Sequence, residues 1–201
     1  MQDMGNLTFD ADEIVKRSYE IVSRVIEGKT PEGKVIQRCV IATGDLGIRD
    51  LIIFKGNAVQ EGIRAILGNS DVVVDVRMVL AGINKRKFSG DISVAVDHGD
   101  DEKLTRSMSG IYSLRDRIDD SIVVIGNAPS ALIAVCDLIM RGIKPKLVIG
   151  TPVGFVNAAE SKEMLRELDV PSITTVGTRG GSTLAVAIFN ALVNLAYERS
   201  D

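Results

Sequence analysis

Short apolar runs alternate with amphipathic stretches along most of this chain. The runs are rich in valine and isoleucine and stop at glycine or polar residues, a pattern that predicts buried β-strands. They cover residues 35–42, 71–76, 91–96, 121–125, 147–149 and 172–176. The period of the run at 35–42 is interpreted as that of a mostly buried strand.

The segments between the runs carry apolar residues at helical spacing. In the first, Val15, Val22 and Ile26 share one face, Thr8 or Asp10 can cap the start, and Gly28 marks the end. Later segments repeat the pattern. They predict helices over residues 57–67, 101–117, 130–141 and 158–168, and a last helix that ends at Tyr197.

Strands that alternate with helices predict a mostly parallel sheet covered by helices on both faces, an α/β chain with three α/β/α layers. A length of 201 residues suits a single domain, residues 1–201. In this class, ligands bind outside the carboxyl ends of the strands. The polar and glycine-rich loops after the runs are therefore expected to meet at one rim. They are residues 43–45, 77–78, 97–99, 126–127, 151–157 and 178–182.

The loop at residues 151–157 carries apolar side chains that a solvent-facing turn does not need. Val153 and Phe155 indicate the wall of an apolar pocket with polar contacts at its edge. Met78 and Phe155 have two interpretations, as local packing residues or as the lining of a pocket for a flat ligand. Glu160 and Lys162, which follow in the next helix, are either ordinary surface residues or groups that fix this loop.

The amino-acid composition argues against several classes of binding partner. A net charge of −3 gives no support to nucleic acid or an anionic membrane, and the absence of tryptophan argues against base stacking. The most apolar helical segment, residues 131–140, is about half the ~20 residues that span a bilayer. No secretory signal opens the chain, and Cys39 and Cys136 lack paired spacing, so a reduced, cytoplasmic protein is expected.

Two features suggest chemistry, and each also has an ordinary explanation. The loop GTRGGS, residues 177–182, is either a nest of backbone N–H groups for phosphate or carboxylate, or simply a tight turn. His98, the only histidine, is either a proton-transfer group or a solvated turn residue. Asn127 likewise is a turn residue or an amide contact to a ligand. No Ser-His-Asp arrangement and no metal-ligand cluster is evident.

Five motifs in order make the chain recognisable. They are DVRMVLAGI (75–83), TRS (105–107), IGNAPSAL (125–132), IGTPVGFVNAAESK (149–162) and GTRGGS (177–182) followed by NAL (190–192). Together they resemble the precorrin-8X methylmutase family of cobalamin biosynthesis over nearly the whole chain. The resemblance implies a flavodoxin-like fold and an isomerase that moves a methyl group between adjacent ring carbons of a corrin-type tetrapyrrole. The product would be hydrogenobyrinate or, with cobalt already inserted, cobyrinate, and no redox or nucleotide cofactor is consumed.

The resemblance also implies a homodimer with its substrate site at or near the interface. The substrate is an apolar ring fringed with carboxylates, which suits apolar loop residues beside arginines and backbone amides. The residues expected to contact it are Arg17, Arg38, Asp45, Met78, Thr105, Arg106, Ser107, Asn127, Val153, Gly154, Phe155, Arg179, Gly180, Gly181 and Ser182.

One position departs from the family's pattern. The family has Arg-x-Ile-His-Ala in what we predict is the first strand, and its histidine is the residue expected to protonate the macrocycle. Ile41 stands at that position here and has no proton to donate. Three hypotheses follow. The first is a methylmutase that takes its proton from His98, Asp45, Asp97 or water, or in which binding and orientation carry most of the rearrangement. The others are a corrinoid-binding or carrier protein, and a protein that binds a phosphorylated metabolite through residues 177–182.

Overall fold

The computed structural model describes residues 8–198, and a six-stranded sheet lies at its centre. The strands are β1 (Ile52–Lys55), β2 (Val72–Val74), β3 (Ile92–Val94), β4 (Ile122–Ile125), β5 (Leu147–Gly150) and β6 (Ser172–Thr175). Their order across the sheet is β1-β6-β5-β4-β2-β3, and β1 runs antiparallel to β6 while the other pairs are parallel. The parallel strands β2 to β6 taken alone follow the 2-1-3-4-5 order of flavodoxin-like folds.

Helices cover both faces of the sheet, as predicted. They are α1 (Phe9–Ser23), α2 (Pro31–Thr43), α3 (Ala58–Leu67), α4 (Arg77–Gly82), α5 (Arg106–Ser113), α6 (Arg115–Ile118), α7 (Pro129–Met140), α8 (Ala158–Glu167) and α9 (Ser182–Glu198). Helices α2, α3, α4 and α9 share one core, and α5 to α8 share the other. Helix α1 lies outside this arrangement and packs on α2.

The two cores are separated by the alternation of side chains along each strand. Val72 and Val74 belong to the core under α2 and α9, whereas Val73 belongs to the core under α7. All three side chains are fully buried. Because both faces are covered, each parallel strand needs a continuous apolar run, and this is why those runs were recognisable in the sequence.

The strand predicted at residues 35–42 was wrong, because these residues form most of helix α2. The Thr30 hydroxyl accepts a hydrogen bond from the Gly33 N–H at 3.0 Å, Pro31 takes the first position, and Gly44 ends the helix with a φ of 66°. Short apolar runs do not distinguish a buried strand from a buried helix, and here the start and stop residues decide. Ile41 therefore lies on a helix.

Other predictions differ at the ends of elements or where the pattern is weak. Strand β1 was missed, residues 77–82 form helix α4 rather than a loop, and the helix predicted from residue 101 starts only after Thr105, which caps α5. Thr8, not Asp10, caps α1. The remaining predicted strands and helices are confirmed within a few residues. Within residues 8–198, the structure contains no helix with the length and apolar character needed to cross a bilayer.

Candidate functional site

The carboxyl ends of the parallel strands β2 to β6 lie at one edge of the sheet, which we call the rim. The loops at residues 97–99, 126–127, 151–157 and 178–182 follow these ends, and residues 77–78, predicted as a loop, follow the β2 end as the start of helix α4. The loop at residues 43–45 follows helix α2 instead of a strand, contrary to the prediction. It still reaches the rim, because the Asp45 carboxylate forms an ion pair with the Arg179 guanidinium.

The centre of the rim is organised by Asp75, which directly follows β2 and is fully buried. Its carboxylate accepts hydrogen bonds from the N–H groups of Gly126 (3.1 Å), Asn127 (2.7 Å) and Ala128 (2.8 Å). Burial raises the pKa of this carboxyl, while these bonds and one from the Val76 N–H act in the opposite direction. The loop that carries Asn127 is thus held by an internal acid, a role that the sequence analysis missed.

Lys162 on α8 is fully buried, so the interpretation as a surface residue was wrong for it. Its Nζ donates to the Arg179 carbonyl oxygen at 2.9 Å and to the Thr175 hydroxyl at 3.0 Å, and that hydroxyl donates to the same carbonyl at 2.7 Å. Burial, followed by the charge of Arg166, lowers the pKa of Lys162 to about 8. Glu160, two residues earlier, is exposed.

The two loops after β5 and β6 support each other. The Gly154 N–H donates to the Thr178 carbonyl at 3.1 Å, and the Gly181 N–H donates to the Thr151 carbonyl at 2.7 Å. A Cβ at Gly180 would lie 2.3 Å from the Thr151 carbonyl oxygen, so this approach requires glycine. The glycines of GTRGGS therefore serve close loop packing at the N-terminus of α9.

Apolar side chains stand exposed along these loops and on α4. Phe155 is 94% exposed, Met78 69% and Val153 45%. Neither Met78 nor Phe155 is a core residue, so the interpretation as local packing residues does not fit them, and their contact with a flat ligand stays a prediction. Large apolar side chains exposed together mark contact with a ligand or another protein.

A cleft of about 210 Å³ between α2, α4 and α9 brings three predicted contact residues together, Arg38, Met78 and Ser182. Arg38 is only 9% exposed, and Ser182 is the first residue of α9. A guanidinium next to the N-terminus of a 17-residue helix is suited to bind a carboxylate.

The N-termini of α5 and α7 meet on the other side of the rim. The hydroxyls of Thr105 and Ser130 lie 2.7 Å apart, and the Arg106 guanidinium donates to the Val96 carbonyl at 3.0 Å. Thr105 and Arg106 are exposed and open to the rim, while Ser107, one residue further along α5, is buried.

His98 and Ile41 lie at opposite ends of the rim. His98 is exposed and follows the edge strand β3, whereas Ile41 is on α2, whose C-terminal loop joins the β6 end through Asp45. The β3 and β6 ends are four strand spacings apart, about 19 Å. Ile41 lines a second groove, of about 290 Å³, between α1 and α2.

The Ile41 groove is apolar, with Ile21, Val25 and Leu46 in its walls. Arg17 is exposed on α1 next to Ser18, which also lines this groove. Neither Arg17 nor Ile41 lines the Arg38 cleft. In the part of the chain that the structure describes, no group of three or more His, Cys, Asp or Glu side chains is placed to hold a metal ion.

Comparisons with known proteins agree with this architecture. The model of the CbiC family, precorrin-8X methylmutase, matches residues 13–195. The cobalamin biosynthesis protein CbiHC of Archaeoglobus fulgidus is 45% identical over 195 residues, which cover 96% of this chain but only 42% of that longer protein. The cobalt-precorrin-8 methylmutase of Methanocaldococcus jannaschii is 41% identical over 214 residues, covering 98% of this chain and 99% of that one.

Among solved structures, the precorrin-8X methyl mutase from Thermus thermophilus superposes with a TM-score of 0.86 at 36% identity. The match covers 94% of this chain and 99% of the Thermus chain. A family model that spans nearly the whole chain, a full-length relative at 41% identity and a shared fold lead to one conclusion. The chain belongs to the precorrin-8X methylmutase family.

Proposed function

We propose that this protein is a precorrin-8X or cobalt-precorrin-8 methylmutase, which moves a methyl group between adjacent ring carbons to give hydrogenobyrinate or cobyrinate. The product is an isomer of the substrate, because one carbon–carbon bond breaks as another forms. The observation that carries the proposal is the rim, where exposed apolar side chains stand beside arginines and two helix N-termini. Membership in the family supports the same reaction.

On the rim, the macrocycle would lie with its apolar faces against Met78, Val153 and Phe155, whose exposed surface it removes from water. Its carboxylates would be met by Arg38, Arg106 and Arg179, because guanidinium groups bind carboxylates through paired hydrogen bonds. The remaining expected contacts are Asp45, Thr105, Ser107, Asn127, Gly154, Gly180, Gly181 and Ser182. This arrangement fixes the ring while the methyl group migrates.

We further propose that orientation on the rim supplies most of the rate, with the proton exchanged through water or His98. Asp45 and Asp97 are both engaged in ion pairs, with Arg179 and Arg77 respectively. Their carboxylates are therefore occupied as acceptors. General acid catalysis contributes roughly 10²–10⁴-fold, so a methylmutase without a histidine at residue 41 would be slow rather than inert.

We also propose a cytoplasmic homodimer in which a second copy covers helix α1. On this helix Phe9 is 82% exposed, Ile14 67% and Ile21 57%, and Val25 just beyond it is 51% exposed. Val22 on a neighbouring face of α1 already packs on α2, whereas these side chains remain exposed and suit contact with another partner. The α1–α2 groove with Arg17 and Ile41 would then lie beside the second copy.

The proposed reaction is tested by incubating the purified protein with precorrin-8X or its cobalt form and following the visible spectrum. We expect conversion to hydrogenobyrinate or cobyrinate, identified by NMR because substrate and product have the same mass. Phe155→Ser should weaken binding without lowering the stability of the protein. Leu67→Ser, at an exposed residue on α3, should leave binding unchanged. Tight binding without product would indicate a carrier, and absence of any spectral change would contradict the proposed function.

A further inference from the structure

The buried ammonium of Lys162 has no acidic partner. Its hydrogen-bond acceptors are the Arg179 carbonyl and the Thr175 hydroxyl, both neutral, and no carboxylate among residues 8–198 forms an ion pair with it. The cationic Arg166 on the same helix adds repulsion. A buried charge of this kind costs stability, and an apolar side chain of the same length would fill the space without that cost.

The contacts of Lys162 converge on one backbone group. The Arg179 carbonyl accepts from both Lys162 and Thr175, so the chain is held directly below the Arg179 side chain. On the outer side of the loop, the Arg179 guanidinium reaches Asp45, and Gly181 is tied to Thr151. Lys162 thus lies under the loop that opens α9.

We propose that Lys162 is a positioning residue, whose ammonium holds the Arg179 loop in the shape that receives a substrate carboxylate. The role rests on the function proposed above. Lys162 does not touch the ligand, because it is fully buried beneath the loop. It acts through the fixed Arg179 backbone and through its positive charge, which adds to that of Arg179 and of the α9 N-terminus.

The same placement predicts how binding depends on pH. Below about pH 8 Lys162 is cationic, and above it the amine becomes neutral and its attraction for an anion is lost. Carboxylates of the ligand are already ionised throughout this range. The charge that acts on Lys162 is that of Arg166 on its own helix, and Arg179 accepts its hydrogen bond through the backbone carbonyl. The neighbouring groups are engaged with these residues: Glu163 pairs with Arg166, Asp45 pairs with Arg179, Lys55 donates to the Arg166 carbonyl, and the Cys136 thiol contacts the carbonyl of Ser161. Burial raises the pKa of the Cys136 thiol to about 12, so the thiol stays neutral.

The test compares Lys162→Met with Lys146→Met. Lys146 is a half-exposed lysine that pairs with Asp120 at the opposite edge of the sheet, so its loss changes the net charge equally. Visible titration with cobyrinate should show that Lys162→Met binds roughly tenfold more weakly or worse, because the variant loses the hydrogen bond that holds the Arg179 loop, and Lys146→Met should bind like the wild type. Wild-type affinity should fall between pH 7 and 9, and that fall should be absent in Lys162→Met.

Amide hydrogen exchange of residues 177–182 without ligand separates the positioning role from the proposed function. Faster exchange in Lys162→Met than in Lys146→Met supports the role even if the wild type binds no corrinoid, a result that would contradict the proposed function alone. Equal exchange, or equal affinity and pH profiles, overturns it. If Lys162→Met does not fold, Thr175→Val decides, because it removes a donor to the Arg179 carbonyl and should also loosen the loop and weaken binding.

Discussion

Ile41 is a half-buried side chain in an apolar groove, and its replacement by histidine is the sharpest test of how the proton reaches the ring. We expect Ile41→His to raise turnover by up to roughly 10²-fold, since a positioned general acid contributes at least that much. Apolar surroundings disfavour the imidazolium, so the gain should be larger at pH 6 than at pH 8. Initial rates from the visible spectrum measure both effects.

Ile41→Gln is the matched control, because it adds polarity without a titratable proton and should leave turnover near that of the wild type. His98→Ala tests the other candidate. If it lowers wild-type turnover while Ile41→His does nothing, the proton enters from the β3 end of the rim. Unchanged turnover in His98→Ala would remove His98 from the reaction.

The burial of Lys162 also predicts how stability depends on pH. As pH rises, stability should increase while binding weakens. The pKa of Lys162 is about 8 in the folded protein and 10.5 for a lysine in water, so between these values the unfolded chain binds more protons and the fold gains stability as pH rises. The full gain is about 3 kcal/mol. Urea unfolding from pH 7 to 10.5 should show the wild type gaining stability relative to Lys162→Met.

Taking the difference between the two proteins cancels the other groups that titrate at high pH. Burial raises the pKa of Tyr19 and of Cys39 to about 12 in both proteins, which lowers the stability of both equally as pH rises. Parallel stability curves for wild type and Lys162→Met would mean that Lys162 does not change its ionisation on folding.

Among individual residues, the sequence predicts which ones lie at the rim. It does not predict the buried residues that support the rim. The position of Phe155 and Arg179 at the rim was predictable because loops after parallel strands meet at one edge, and their contact with a substrate stays a prediction. Asp75 was not assigned, and Lys162 was left between a surface residue and a group that fixes the loop, because a buried charge depends on tertiary hydrogen bonds that no local pattern contains. The spacing of Lys162 from the buried Ala158 and Leu165 does put it on the inner face of α8, and this was a usable clue.

Helix α5 approaches the 3₁₀ turn Ala95–Asp97 so closely that only glycine fits at residue 110. A Cβ there would lie 1.7 Å from the Ala95 carbonyl oxygen. Gly110→Ala must push α5 outward, and we expect a loss of about 3 kcal/mol of unfolding free energy by urea titration. Ser113→Ala, exposed at the end of the same helix, should stay within about 0.5 kcal/mol. Similar stability for the two variants would contradict the close packing.

Elements differ in how far the sequence predicts them. The buried parallel strands were predicted as strands because both of their faces are covered. The apolar run of α2 suits either a strand or a helix until Thr30, Pro31 and Gly44 are taken into account. Strand β1 is four residues long, and its pairing with β6 is a long-range contact that leaves little local trace. Such edge pairings are the least predictable part of this fold.

The whole molecule is expected to associate through the exposed face of α1. Ile21→Asp places a carboxylate in that face and should convert the proposed dimer into a monomer, as measured by light scattering after size-exclusion chromatography. Leu67→Asp, at a 48% exposed residue on α3, is the control and should leave the mass unchanged. A wild type that is already monomeric would contradict the proposed dimer.

The buried carboxylate of Asp75 affects which ligands can bind at the central crevice of the sheet. In flavodoxin-like folds, the crevice between the first and third parallel strands is where a flavin phosphate is seated. Here that crevice lies between β2 and β4, and the three amides at its mouth are already saturated by the protein's own carboxylate. The phosphate of a mononucleotide at this position would be repelled by the Asp75 carboxylate and would find no free N–H donor among these amides. Asp75 therefore occupies with its own carboxylate the amides that would otherwise receive a phosphate, and the proposed tetrapyrrole would bind on the rim outside this crevice.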